Sequence, residues 1–271
     1  MIRVYYHKNC TDGLGSAWSF RQKYGDKAEY IPFNYGDQIS DPTGYHIYFV
    51  DCSAKENVLL DIKDKALSLN VIDHHISAQK KLDHLDFCHF DQDHSGAVLA
   101  WKYCFPEKEV PLVLRYIEDR DLWRWKLPYS KQISEVIFFK DFSFETIDYI
   151  DSMLREGKDG FDKIVKTGDI ILAIKNMQIE KIMKNIIPIK IDGYNGCMIN
   201  SPIHKSEIGS MSKNYDFCII YNRIEKNSYI CSIRTTKEDV DVSIIAEKFG
   251  GGGHRKASGF RVSNINKIFN Q

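Results

Sequence analysis

The triplet Asp73-His74-His75 follows the apolar pair Val71-Ile72 without a break. A carboxylate beside two imidazoles offers oxygen and borderline nitrogen donors, a set that suits Mn, Fe, Co or Zn better than Ca. Residues of the same kinds stand where other ordered runs stop: His7 after residues 2–6, Asp12 a few positions on, Asp51 after 45–50, and Asp119 and Asp121 after 112–117. Singly, each has a plain alternative as a helix cap, a hydrogen-bonded strand end or a solvated turn. Jointly they supply a carboxylate able to bridge two cations, flanked by histidines and further carboxylates. Cations held so, ~3.5 to 4 Å apart, serve phosphoester hydrolysis.

The elements that must position these residues alternate. Strands are expected over 2–6, 28–35, 45–50, 67–72 and 85–90, separated by helical stretches, which argues for a parallel sheet covered on both faces. Loops at the carboxyl ends of such strands converge on one rim, where ligands bind in open α/β sheets. Leu67, Leu69, Val71 and Ile72 read as the end of a buried strand, Ser53 as the cap of a helix through Val58 to Ile62, and Pro111 as the opening of another helix. From about 142 to 185, apolar residues recur at three and four spacing, as a helical connector would. After Pro188 come a hairpin over 189–200, strands over 217–221 and 229–234, a helix over 242–249, and the run Gly250-Gly251-Gly252-Gly253-His254. The expected fold is α/β: a parallel-sheet domain over 1–140, a connector over 141–186, and a smaller α+β domain over 187–271. In the last domain, Gly251, Gly252 and Gly253 let backbone N–H groups approach a phosphate, with His254, Arg255 and Arg234 as directed donors.

At 271 residues the chain is long enough for two domains. Lys plus Arg number 37 and so do Asp plus Glu, so an anionic substrate must be held locally, not by a broad basic surface. The seven cysteines are odd in number and form no Cys-x-x-Cys pair, a pattern of reduced thiols in a cytoplasmic protein. No signal peptide is recognisable at the amino terminus. No apolar run reaches the ~20 residues of a membrane span, so no membrane partner is expected.

Taken in order, the motifs resemble those of the DHH phosphoesterases that carry the DHH-associated C-terminal domain. Residues 7–17, His7-Lys8-Asn9-Cys10-Thr11-Asp12-Gly13-Leu14-Gly15-Ser16-Ala17, are similar to motif one, Val50-Asp51 to motif two, Asp73-His74-His75 to the name-giving motif three, and Asp119 to Trp123 to motif four. Gly250 to His254 with Ala257-Ser258-Gly259 is similar to the glycine-rich signature of the second domain. These stretches span nearly the whole chain.

The resemblance implies an active site in a cleft between two domains, two Mn ions in the first, and a phosphate clamp in the second, with Mg, Co, Zn or Fe as possible substitutes. By position, Asp51 bridges the metals, with His7 on one and Asp12 and His74 on the other. Asp119 or Asp121 completes the ligand set of the second ion. His75 faces the scissile phosphate, the leaving group takes its proton from His75 or from metal-bound water, and Asp73 orients a histidine. The place where many members carry an aspartate holds Cys10 here. As a ligand, its thiolate shifts preference toward Zn or Fe; otherwise it is a bystander. The implied activity is hydrolysis of short single-stranded oligonucleotides to 5′-mononucleotides. A phosphatase or pyrophosphatase on the same scaffold, or a non-catalytic nucleotide sensor, are the alternatives.

Overall fold

The computed structural model describes residues 1–269. The chain divides into two compact units between Leu172 and Ala173.

The first unit opens with β1 (Ile2–His7), α1 (Thr11–Tyr24), a 3-10 turn (Gly25–Lys27) and β2 (Ala28–Phe33). It continues through β3 (His46–Val50), α2 (Glu56–Lys65), β4 (Ser68–Asp73), α3 (Ile76–Leu82) and β5 (Cys88–Phe90). Helices α4 (Gly96–Cys104), α5 (Leu112–Asp121), α6 (Ser130–Phe139), α7 (Phe144–Arg155) and α8 (Lys158–Met183) follow. The strands form one sheet in the order β2-β1-β3-β4-β5, every pairing parallel. Successive residues point to opposite faces, and both faces are covered. Tyr5, Ile47, Phe49, Leu69 and Val71 pack with Leu59 and Ile62 of α2 and Leu82 of α3. Val4, Tyr48, Val50 and Ile72 pack with Phe20 of α1 and Ala100 and Cys104 of α4. A further apolar cluster joins α1, α4, α5, α6 and α7 through Trp18, Trp101, Leu114, Ile133 and Ile150.

The chain leaves β1 to form β2 on one side and then crosses to β3 on the other, so the space beyond the ends of β1 and β3 is a topological switch point. Register aligns the rim there. Tyr6 pairs with Val50, and Val50 with Ile72, so His7, Asp51 and Asp73 end three neighbouring strands.

The second unit contains the end of α8 and then β6 (Ile187–Ile191), β7 (Tyr194–Asn200), α9 (Lys205–Met211), β8 (Phe217–Glu225) and β9 (Ser228–Arg234). It ends with α10 (Val242–Lys248), β10 (Gly252–His254), β11 (Ala257–Val262) and α11 (Asn266–Phe269). Its sheet runs β10-β11-β9-β8-β7-β6, parallel only between β7 and β8. Ile219, Ile233 and Phe260 face Val242 and Ile245 of α10, while Ile199 and Ile220 face Ile179 of α8 and Ile208 of α9.

Two local expectations are corrected. Leu67 is 62 % exposed, because β4 starts only at Ser68. Ser53 caps nothing, since α2 begins at Glu56 and Lys55 occupies its N-cap position without a side-chain bond. The helical stretch expected over 141–186 is helical, but Ile147, Ile150, Met153 and Leu154 of α7 are buried in the first unit's own core. All seven cysteines are free thiols. Among the described residues, no helix is long and apolar enough to cross a membrane.

Candidate metal centre

At the switch point, His7 ends β1 and Asp51 follows β3. Asp51 is 1 % exposed and adopts a left-handed backbone, φ 55°, a conformation that costs a non-glycine residue on the order of 1–3 kcal/mol. The strain turns its carboxylate between two histidines: Oδ2 lies 3.3 Å from His7 Nδ1 and Oδ1 lies 3.2 Å from His74 Nε2. These approaches lack hydrogen-bonding geometry, so both Asp51 oxygens and His7 Nδ1 are buried with no hydrogen-bond partner. Burial would raise the Asp51 pKa, but His7, His74 and His75 outweigh it and hold it well below the usual carboxylate range.

Three groups of ligand atoms share Asp51 or its neighbour His74: one is Asp51, Asp73, His74 and His75, and two others divide the remaining ligands between them. In the first of these two, one atom each of His7, Cys10 and Asp51 lies within 4.8 Å of the others. Burial, then the charges of Asp51, Asp12 and Asp121, push the Cys10 thiol well up. In the second, Asp12, His74 and Asp121 converge equally closely. His74 Nε2 stands 3.6 Å from both Asp12 Oδ2 and Asp121 Oδ2. Burial opposes protonation of His74, yet Asp51, Asp12 and Asp121 raise its pKa to about 10. Asp12, fully buried, is pushed up by burial and then by Asp51 and Asp121.

Asp12 is anchored by its own partners. Its Oδ2 accepts the amide N–H of Gly96 at 2.6 Å and its Oδ1 that of Ala97 at 3.0 Å, so it holds the first turn of α4, where anionic groups are favoured. This needs two close approaches. A Cβ on Gly13 would lie 2.3 Å from the His7 carbonyl oxygen, and one on Gly96 would lie 2.5 Å from Asp51 Cβ. Gly96 was not among the sequence-derived site residues. Its only sequence signal is the pair Ser95-Gly96 at a helix start.

Asp73 orients His75. Its Oδ1 accepts the backbone N–H of His74 and lies 2.6 Å from His75 Nδ1. Burial would lower the His75 pKa, but Asp73 and Asp51 raise it.

The two aspartates left open by sequence part company. Asp121 joins His74 and Asp12, whereas the carboxylate of Asp119 turns away to accept the amides of Lys126 (2.9 Å) and Leu127 (3.1 Å). Asp119 therefore closes the turn after α5 and is not among the converging ligands.

The residues expected to hold phosphate lie in the second unit. Gly253 adopts φ 146° and Gly251 packs so closely on β11 that a Cβ would meet the Gly259 carbonyl at 2.2 Å, whereas the missing Cβ of Gly252 faces open space. His254 and Arg255 are exposed. Arg255 donates to the Glu238 carbonyl at 2.7 Å, and Arg234, at the end of β9, donates to the carbonyls of Ile233 (3.0 Å) and Ser258 (3.4 Å).

The donor sets fit cations. Buried oxygens and a ring nitrogen without hydrogen-bond partners are costly unless something satisfies them, and here they face other metal-ligating atoms, not apolar walls.

No protein-family model matches the chain. The uncharacterized protein R106 of Acanthamoeba polyphaga mimivirus is 31 % identical over 97 % of this chain and 68 % of its own length. Oligoribonuclease NrnB of Bacillus subtilis is 21 % identical over 97 % of this chain and 73 % of its own. Among solved structures, the pGpG-specific phosphodiesterase PggH of Vibrio cholerae superposes with a TM-score of 0.54 at 12 % identity, covering 98 % of this chain and 95 % of that one. An exopolyphosphatase-related protein of Bacteroides fragilis gives 0.53 at 15 % identity, covering 100 % and 90 %. These superpositions show a shared two-domain fold. With a parallel sheet that carries Asp73-His74-His75 at its rim and a second mixed sheet bearing the glycine run, the chain belongs to the DHH phosphoesterase family.

Proposed function

We propose that the chain is a phosphodiesterase that hydrolyses short single-stranded oligonucleotides to 5′-mononucleotides in the cytoplasm, with two divalent cations of which at least one is Mn2+. The observation that carries this reading is the Asp51 carboxylate, whose two oxygens face histidines of two different ligand groups. Two cations held there would neutralise the phosphate and lower the pKa of water to ~7, the chemistry that phosphoester hydrolysis needs.

The side chains do the rest. Asp51 serves both positions, His7 belongs to the first, and Asp12, His74 and Asp121 belong to the second. Asp73 fixes the ring of His75 and raises its pKa, favouring the protonated imidazole. His75 therefore gives its proton to the leaving alkoxide. In the second unit, the Gly251–Gly253 backbone with His254, Arg255 and Arg234 binds a substrate phosphate. We assign catalysis to residues 1–140, a connecting role to 141–186 and substrate binding to 187–271.

A small substrate is favoured by a cavity of about 400 Å3 that includes His7, Asp51 and His75. Ala54, Ala78 and Leu82 give it an apolar wall, and Lys55 and Lys81 add cations. Its size is that of a small-ligand pocket, suited to one nucleotide unit. The zero net charge also speaks against a long polyanion. The Bacillus relative is named an oligoribonuclease and the Vibrio neighbour a pGpG-specific phosphodiesterase, which supports the same substrate class.

The test is incubation with di- to pentanucleotides and Mn2+. Release of 5′-mononucleotides is expected. Turnover of pyrophosphate or of a 3′,5′-bisphosphonucleotide without any oligonucleotide cleavage would replace this reading with a phosphatase. Tight nucleotide binding without turnover would replace it with a sensor.

A further inference from the structure

We propose that the two cation positions are chemically unequal: His7, Cys10 and Asp51 form a sulfur-containing position selective for a borderline cation such as Zn2+, Fe2+ or Co2+, beside an oxygen-rich position for Mn2+ or Mg2+. The inference rests on the two-cation reading above and assigns a different metal class to each half of the site.

The donor atoms make the distinction. The first position offers one imidazole nitrogen, one thiol sulfur and one carboxylate oxygen, all within 4.8 Å of one another. Three protein ligands of N, S and O type are the kind of set that catalytic zinc sites use, with water or substrate as the fourth ligand. Thiolate donors select softer cations, whereas carboxylates suit Mg2+ and Mn2+. The second position offers Asp12 and Asp121 around His74, with Asp51 Oδ1 at 3.2 Å from the same imidazole nitrogen. It contains no sulfur.

An observation independent of the cysteine marks the first position as a ligand site. Asp51 is 1 % exposed, and its Oδ2 and the facing His7 Nδ1 are both buried without a hydrogen-bond partner. They lie 3.3 Å apart, and His7 and Asp51 are the two residues that converge with Cys10. A cation among the three would satisfy both atoms. On binding, the Cys10 S–H bond breaks, its proton passes to solvent, and the sulfur electron pair enters the metal–sulfur bond.

The experiment is read without turnover. The full-length chain is stripped of metal and reloaded with equal free Zn2+ and Mn2+, and its metal content is measured. A second sample is reconstituted with Co2+ and its near-ultraviolet absorption recorded for a thiolate-to-cobalt charge-transfer band. Wild type is expected to retain both metals and to show the band. Cys10→Ser is expected to lose the band, and Cys10→Asp to lose the band and the preference for Zn2+. Absence of the band from wild-type Co2+ protein, or equal Zn2+ and Mn2+ partition in wild type and Cys10→Asp, would overturn the inference. The cobalt spectrum of wild type makes the result independent of how well either variant folds. Oligonucleotide cleavage by a protein without the band would sink this inference alone, whereas failure to bind any second cation would sink the two-cation reading as well.

Discussion

Oδ1 of Asp73 lies 2.6 Å from Nδ1 of His75, and the same oxygen accepts the backbone N–H of His74 at 2.8 Å. One buried carboxylate oxygen thus sets the turn at the end of β4 and the orientation of the ring beyond it. Burial works to lower the His75 pKa, but the hydrogen bond and charge of Asp73 raise it. Asp73→Asn removes that charge, so the His75 pKa must fall. The expected result is a lower kcat at neutral pH and a basic limb of the pH–kcat profile displaced to lower pH, with metal content kept. A profile that does not move would remove His75 as the proton donor.

Gly96 is where the first turn of α4 meets the Asp51 carboxylate. A Cβ there would lie 2.5 Å from Asp51 Cβ, 2.9 Å from its Oδ1 and 3.0 Å from Asp12 Oδ2. Neither aspartate can withdraw, since Asp12 holds the amides of Gly96 and Ala97 and Asp51 is fully enclosed. Gly96→Ala should therefore destabilise the protein by roughly 1–3 kcal/mol, the range for overpacking a filled site. It should also lower its metal content. Thermal unfolding and metal analysis check both, and a variant with wild-type values for each would show that α4 can move away.

These two residues illustrate what the sequence could and could not tell. The strand ends were legible because apolar runs in a doubly covered parallel sheet stop abruptly on polar residues, as Val50-Asp51 and Ile72-Asp73 do. The need for glycine at position 96 was not, because it is imposed by a carboxylate 45 positions away in the chain. Leu67 misled because an apolar residue just before a strand looks like its first member, although it is exposed. Ser53 misled because a good capping residue lies near α2 without occupying its N-cap position. Asp119 and Asp121 could not be ranked from spacing. Two residues apart at a helix end, they face different directions, and only the turn at Lys126 and Leu127 decides which one is used up.

That division makes a discriminating pair of substitutions. Asp119→Ala deprives the part-buried amides of Lys126 and Leu127 of their acceptor, a loss worth about 0.5–1.5 kcal/mol per hydrogen bond. Stability should drop while metal stoichiometry in the remaining folded protein stays the same. Asp121→Asn should do the reverse, weakening metal binding and activity with little loss of stability. Denaturant unfolding paired with metal titration separates the two, and equal metal loss in both variants would return Asp119 to the ligand set.

The cluster around His74 also links metal binding to protons. Burial opposes a charge on this imidazole, but its contact with Asp51 and the charges of Asp12, Asp51 and Asp121 raise its pKa to about 10. Because the folded value lies above the unfolded one, the ion pairing stabilises the metal-free protein fully below the ordinary histidine value. That contribution is lost as pH rises through about 10. A cation binds only the neutral imidazole, so loading this position at neutral pH must expel a proton. Apparent Mn2+ affinity should therefore increase from neutral to alkaline pH. Calorimetric binding enthalpies should differ between buffers of unlike ionisation enthalpy, in the sense of proton release. His74→Ala should bind Mn2+ more weakly and release fewer protons. Buffer-independent enthalpies in the wild-type protein would mean that His74 is already neutral before the cation arrives, and that the three carboxylates do not govern its charge.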